Sequence, residues 1–210
     1  MSATTVDHGG TCILLVQPPI RRTKVTMMSL PHRISGNLAL DLANTISWRN
    51  TSREIDHLAT FGDVLAWSRE VGLIGDDLVL SPLEQKTLYE QVLALRNAIR
   101  GAGSAIANDL DPLRPDFDII RDIAALALCQ ASLSGTPYTL HFEGIYRVTG
   151  AIAWSALDLL RGDELSRLKQ CPPDDCHWLF IDRTKNASRR WCDMGTCGNR
   201  AKKLAHRAAH

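Results

Sequence analysis

Between Thr60 and Arg161 the chain repeats apolar residues at helical spacing in four stretches, most of them bounded by residues that start or stop helices. Thr60 is placed to cap a helix running to Gly72, with Asp63 at the third position and Val64, Leu65, Trp67 and Val71 on its apolar side. Ser81-Pro82-Leu83-Glu84 carries an N-cap serine, a proline at the first helical position and a glutamate that completes a capping box. Leu83, Leu88, Val92, Leu95 and Ile99 continue that helix to Gly101, with Arg96 and Arg100 near its end, where the helix dipole favours cations. After a turn-rich linker, Asn108–Pro115, Asp116 is expected to cap a third helix, Phe117 to about Gln130. That helix should bury Ile119, Ile120, Ile123, Ala127 and Leu128, and Cys129 as a small apolar residue. Ser134–Pro137 breaks the chain, Tyr138–Phe142 alternates as a strand does, and Arg147–Arg161 returns to helical spacing with Val148, Ile152, Leu157 and Leu160 inside. Upstream, Gly36–Thr45 reads as a helix with Leu38, Leu42 and Ile46 on one face, although Leu38, Leu40 and Leu42 also alternate. Asp41, Asn44 and Thr45 are polar groups on this apolar segment. They suit capping or nearby backbone bonds, or else Asp41 and Asn44 line a ligand pocket with Arg96.

The pattern changes after Gly162–Glu164. Leu168–Cys171 and Trp178–Asp182 are two short strands, the second placing Leu179 and Ile181 on one face and Trp178 and Phe180 on the other. Cys171 and Cys176 are separated by four residues, Cys192 and Cys197 likewise, with fifteen between the pairs. Two such knuckles suit one tetrahedral ion held by four thiolates, Zn²⁺ being the natural occupant, with no position left open for catalysis. Two disulfides are the alternative, but nothing in the sequence directs the chain to an oxidising compartment. Pro172 and Pro173 stiffen the first loop; Gly195 and Gly198 give the second its freedom. After Cys197, residues Ala201, Leu204, Ala205 and Ala208 form an apolar helical stripe. A module of about 45 residues has too little core to fold alone, and zinc binding on the order of 10–16 kcal/mol is expected to decide whether it folds.

Charge sharpens this division. The whole chain carries a formal +1, but Arg183 to the end holds eight Lys/Arg against one acid, Asp193. Four thiolates with Zn²⁺ would lower that +7 to about +5. A basic end on a near-neutral body suggests a polyanion partner. No apolar run approaches the ~20 residues that cross a bilayer, and no secretory pattern precedes Cys12–Val16, so a cytoplasmic protein without membrane contact is expected.

The run Arg189–Lys202, RRWCDMGTCGNRAK, resembles the CGNR zinc finger, which ends bacterial proteins whose role as stress-induced transcription regulators is inferred. Gly36–Thr45, GNLALDLANT, resembles the opening of the N-terminal domain those proteins share, so the resemblance covers the chain from about Arg33 onward. It implies an α+β architecture of three parts. Residues 1–28 are a disordered extension, or precede a true start at Met27 or Met28. Residues 29–164 form a mainly helical sensing domain with a small β element. Residues 165–210 form a treble-clef-like or ribbon-like zinc module.

The expected function is a DNA-binding regulator with a structural four-cysteine zinc site, open to an unidentified small-molecule effector and to homodimer formation. Phosphate contacts would come from Arg183, Lys185, Arg189, Arg190, Lys202, Lys203 and Arg207. Asn199 and Arg200 are of the types that read base edges, or else they hydrogen-bond the knuckle sulfurs. Trp178, Phe180 and Trp191 suit the core of a small module better than base stacking. The alternatives are a zinc-held protein-interaction module that binds no nucleic acid, and an enzyme with its site near Asp41, Asn44 and Arg96. Against the enzyme, the chain holds no phosphate loop, G-x-S-x-G or H-E-x-x-H, and its seven histidines have no spacing that marks a second metal centre. His177 follows a ligand cysteine and could compete for the ion, but Cys192 already completes the set.

Overall fold

The computed structural model describes Arg33 to Ala208, and the extension expected over residues 1–28 lies outside these described residues. The body is a bundle of α1 (Leu38–Ala43), α2 (Phe61–Glu70), α3 (Pro82–Ala107), α4 (Arg114–Leu128) and α5 (Tyr146–Arg161). Three antiparallel two-stranded ladders decorate it: β1 (Ile46–Ser47) with β2 (Ile55–Asp56), β3 (Ser132–Ser134) with β4 (Thr139–His141), and β5 (Leu168–Gln170) with β6 (Leu179–Ile181). A final helix, α6 (Asn199–Ala208), follows the last cysteine.

The starts of α2 and α3 were legible. Thr60 and Ser81 both close capping boxes, with Asp63 and Glu84. Asn37 caps α1, its side chain accepting from the Ala39 and Leu40 N–H groups. The ends were less so. α3 continues through Gly101 to Ala107, because these glycines sit where neighbours press on the helix rather than at its close. A Cβ on Gly103 would lie 2.6 Å from Leu179 Cδ1. α4 starts at Arg114 with Pro115 in its first turn, so Asp116 lies inside the helix rather than capping it. Cys129, expected inside, is exposed just past the end of α4, and Leu83 and Leu128 are exposed as well. The β1–β2 and β3 segments are too short to show a period of two.

The core joins Leu40, Leu42, Leu58, Val64, Leu88, Val92, Leu95, Ile120, Val148 and Ile152 from the body with Leu168, Leu179 and Ile181 from the last hairpin. The β5–β6 hairpin therefore has two apolar sides. Leu179 and Ile181 extend the bundle core, while Phe180, fully buried, belongs to a second cluster around the four cysteines with Trp178 and Trp191 packed against it. Helix-spaced apolar residues on α3 and alternating ones on β6 meet across the boundary expected near residue 164.

Polar bonds fix the same junction. Ile181 N–H donates to Ser35 O at 3.0 Å, adding the 33–35 segment to the outer edge of β6. Trp178 Nε1 donates to Ile46 O at 2.9 Å. Gln170 bridges Ser104 Oγ and Asn108 Nδ2 on α3 at 2.8 and 2.7 Å. The cysteine end of the chain is thus held to the body by packing and by hydrogen bonds that do not involve a metal.

Candidate metal centre and nucleic-acid interface

Cys171 directly follows β5, and its N–H donates to Trp178 O at 2.8 Å, so the ladder itself sets the first ligand. A turn closed by Cys176 N–H to Pro173 O at 2.9 Å presents the second, and His177, at φ +55, turns the chain back into β6. The other pair sits beside a wide helical turn, Met194–Gly198, capped by the Asp193 carboxylate, which accepts from Thr196 N–H at 2.7 Å. Gly198 is closely packed there: a Cβ would lie 3.1 Å from Trp191 Cδ1 and against Met194 Sδ.

These turns gather four sulfurs, all mutually within 4.8 Å and all buried. Cys176 to Cys192 and Cys192 to Cys197 are 3.6 Å apart, Sγ to Sγ. A tetrahedral ion with metal–sulfur bonds of about 2.3 Å needs sulfurs about 3.8 Å apart. Distances and donor type therefore fit one soft or borderline ion, and His177 is not in the group. The electrostatics call for a cation as well. Cys197 is pulled far down by hydrogen bonding from the Cys171 thiol first, then from Cys176 and Cys192, while the charge of Arg200 adds to the effect. Cys171 is also pulled down, chiefly by Cys176, whereas Cys176 and Cys192 are pushed up, chiefly by their contact with Cys171. Four thiolates this close cannot all be charged unaided, and a divalent cation removes the conflict.

The surrounding shell holds the sulfurs in place. Cys192 N–H donates to Cys171 Sγ at 3.4 Å, and Arg200 Nη2 donates to Cys197 Sγ at 3.4 Å while pairing with Asp175 at 2.9 Å. Asn199 Nδ2 donates to Gly195 O at 3.1 Å, bracing the second knuckle. Arg189 lies over the Phe180 ring, 4.3 Å from its centroid, and donates to the carbonyls of Ile34, Trp191 and Cys192. Its own N–H donates to buried Asp182, whose carboxylate also accepts from Lys169 Nζ at 2.7 Å and from Thr184 N–H and Oγ1. Burial pushes the Asp182 carboxyl up, but these donors, led by Lys169, outweigh burial and hold it far below the usual carboxylate range.

The basic residues separate into two groups. Arg183 is spoken for: it pairs with Glu164 through two bonds, at 2.5 and 2.8 Å, and packs against Gly36. Arg189, Asn199 and Arg200 brace the knuckles as described. Lys185, Arg190, Lys202, Lys203 and Arg207 are exposed and make no ion pair among the described residues. Arg190 lies over the Trp191 ring at 5.4 Å. Helix α6 buries none of its residues; Leu204, on the expected apolar stripe, is 60% exposed.

Asp41, Asn44 and Arg96 meet different partners. Asp41 accepts from Ser35 Oγ at 2.6 Å, and burial pushes its carboxyl up against that bond. Asn44 bonds the backbone of Leu179 through both ends of its amide. Arg96 makes a two-bond pair with Asp56 at 2.5 and 2.9 Å, tying α3 to β2. Each is occupied at a separate junction, where neither sequence spacing nor composition could place it.

Two family models match the chain: residues 36–163 match ABATE, described as a putative stress-induced transcription regulator, and residues 167–210 match the CGNR zinc finger. The chain belongs to the ABATE family. A comparison with curated proteins found no match. In this ABATE chain the two matched regions meet within one hydrophobic core, through Leu168, Leu179 and Ile181. No helix among the described residues is long and apolar enough to cross a membrane.

Proposed function

We propose that this chain is a transcription regulator whose CGNR module, held by one structural Zn²⁺ on Cys171, Cys176, Cys192 and Cys197, contacts DNA through α6 and the segment before it. The observation that carries the reading is α6 itself: a helix anchored at its start beside a ligand cysteine, buried nowhere along its length, with Lys202, Lys203 and Arg207 exposed and without an ion pair among the described residues. A helix with no buried residue and rich in cations suits a groove or a row of phosphates. Lys185 and Arg190 extend that charge. Arg183, Arg189, Asn199 and Arg200 serve the scaffold, so the contact set is smaller than the count of basic residues implies. The four thiolates occupy every position of a tetrahedral ion, so the metal's role is to hold the fold, with no open site for catalysis.

Duplex binding by the zinc-loaded protein tests this. Affinity should fall steeply with salt, and Lys202→Glu/Lys203→Glu should weaken it more than tenfold without loss of zinc. No retardation of a random-sequence duplex pool at low salt would favour a protein-interaction module instead.

A further inference from the structure

The module meets the body at a residue that sequence reading passed over. Trp48, in the turn between β1 and β2, lies under two guanidinium groups: Arg53 from the same turn, 4.1 Å from the ring centroid, and Arg200 from the start of α6, at 4.8 Å. Arg200 also donates to Cys197 Sγ, so one side chain joins the buried cysteine cluster, the root of α6 and this body turn.

The turn is tightly specified. Trp48 and Asn50 both take positive φ, +54 and +59, a conformation that a bulky residue such as Trp rarely adopts. The Trp48 carbonyl accepts from Thr51 Oγ1 at 2.7 Å, and Asn50 N–H donates to Glu54 at 2.8 Å. The outcome is two arginines on either side of a locked hairpin tip. Arg53 is exposed, Arg49 is half-buried, and neither makes an ion pair among the described residues. Burial, then the charge of Arg100 on α3, holds the Arg49 guanidinium below its ordinary value; Arg96 adds to this, and Glu54 and Asp56 oppose it. A cation held this way gains from any anion that arrives.

We propose that the Trp48–Arg53 turn is the second half of the DNA-contacting surface. Arg49 and Arg53 bind backbone phosphates of the same duplex that α6 contacts, and the Trp48–Arg200 stack fixes the angle between the two. The proposal rests on the DNA reading above. It assigns a nucleic-acid role to the ABATE body, outside the zinc module. The ligand chemistry is the phosphodiester backbone, so the contribution is to affinity and orientation rather than to base choice.

Full-length, zinc-loaded protein would be titrated against a fluorescent random-sequence duplex pool from about 50 to about 200 mM salt. Arg53→Gln should flatten the plot of log affinity against log salt by about 0.9 and weaken binding roughly five- to tenfold at the midpoint. Arg53→Lys, which keeps the charge, should retain the wild-type slope. Arg49→Gln should act like Arg53→Gln, and because Arg53 is exposed, the Arg53 variants carry the test if Arg49→Gln misfolds. Zinc content and thermal midpoint should match wild type in the Arg53 pair. Wild-type binding with unchanged slope in Arg53→Gln would overturn this proposal and leave the α6 reading intact. No wild-type binding at all would overturn both.

Discussion

The Asn44 side chain forms a closed pair with the backbone of Leu179: Nδ2 donates to the Leu179 carbonyl at 2.8 Å and Oδ1 accepts from the Leu179 N–H at 2.8 Å. These residues are 135 positions apart. The amide sits just after α1 and supplies what a neighbouring strand would give β6. Replacing Asn44 by Ala would leave a buried donor and a buried acceptor without partners, at about 1–3 kcal/mol each before relaxation. We expect Asn44→Ala to lose roughly 2–4 kcal/mol in urea unfolding. A loss under about 0.5 kcal/mol would mean that water or another side chain replaces the amide.

Two glycine substitutions should move in opposite directions. Gly103→Ala places a methyl 2.6 Å from Leu179 Cδ1, and Leu179 is 1% exposed, so the core has no room to yield. Overpacking of about 1–3 kcal/mol should exceed the gain of about 1 kcal/mol from alanine in a helix. Gly62→Ala meets only Thr60 Oγ1, at an ordinary 3.6 Å, and should stabilise by up to about 1 kcal/mol. Thermal unfolding of the pair would check both signs.

His57 should make stability fall with acid. Burial holds its imidazole below the ordinary histidine value, against the raising effect of Asp56 and Asp63, and its Nε2 lies 2.9 Å from Ser47 Oγ. The unfolded chain therefore takes up the proton first, as pH drops through about 6.5. The neutral ring's contribution is complete above that value and declines below it, down to the folded-state value. Unfolding free energy measured from about pH 7.5 to about pH 5 should fall more in wild type than in His57→Gln. Parallel curves would show that His57 does not titrate differently in the two states.

Removing the metal should not unfold the whole chain. The β5–β6 hairpin is anchored by Leu168, Leu179 and Ile181 in the main core, while α6 has no buried residue. Chelation should release the second knuckle and α6 and expose cleavage sites at Arg189 and Arg190, leaving a protected fragment that reaches past Ile181. This refines the expectation that zinc alone decides folding. The ion is expected to decide the part after about residue 185, with the hairpin held by the body. Global unfolding on chelation, seen as loss of most helical signal, would contradict it.

What the sequence revealed and what it hid follow from range. Capping boxes at Thr60 and Ser81 are decided within four residues, and the cysteine pairs declare themselves by spacing. The two faces of Trp178–Ile181 were also readable from alternation, though not what each face would meet. Asn44 suited a cap or a nearby backbone bond, Arg96 the end of its own helix and Arg183 a phosphate, because their actual partners Leu179, Asp56 and Glu164 lie 135, 40 and 19 positions away. Arg189 looked like a nucleic-acid contact because charge is visible in a sequence and bracing is not; for Arg200, bonding to a knuckle sulfur and base reading stood as equal alternatives, and its bond to Cys197 Sγ matches the first. α3 runs past Gly101 because glycine here answers to tertiary crowding rather than to helix ending. Trp48 had a faint local signal in Trp48-Arg49-Asn50, with an asparagine suited to positive φ, but nothing local could bring Arg200 to it.

The account stands on one ion shared by Cys171, Cys176, Cys192 and Cys197. X-ray absorption at the zinc edge, on freshly purified reduced protein, measures that directly. It should show one zinc per chain with four sulfur neighbours at about 2.3 Å and no nitrogen or oxygen neighbour. A metal-free protein, or zinc bound through nitrogen or oxygen, would contradict it.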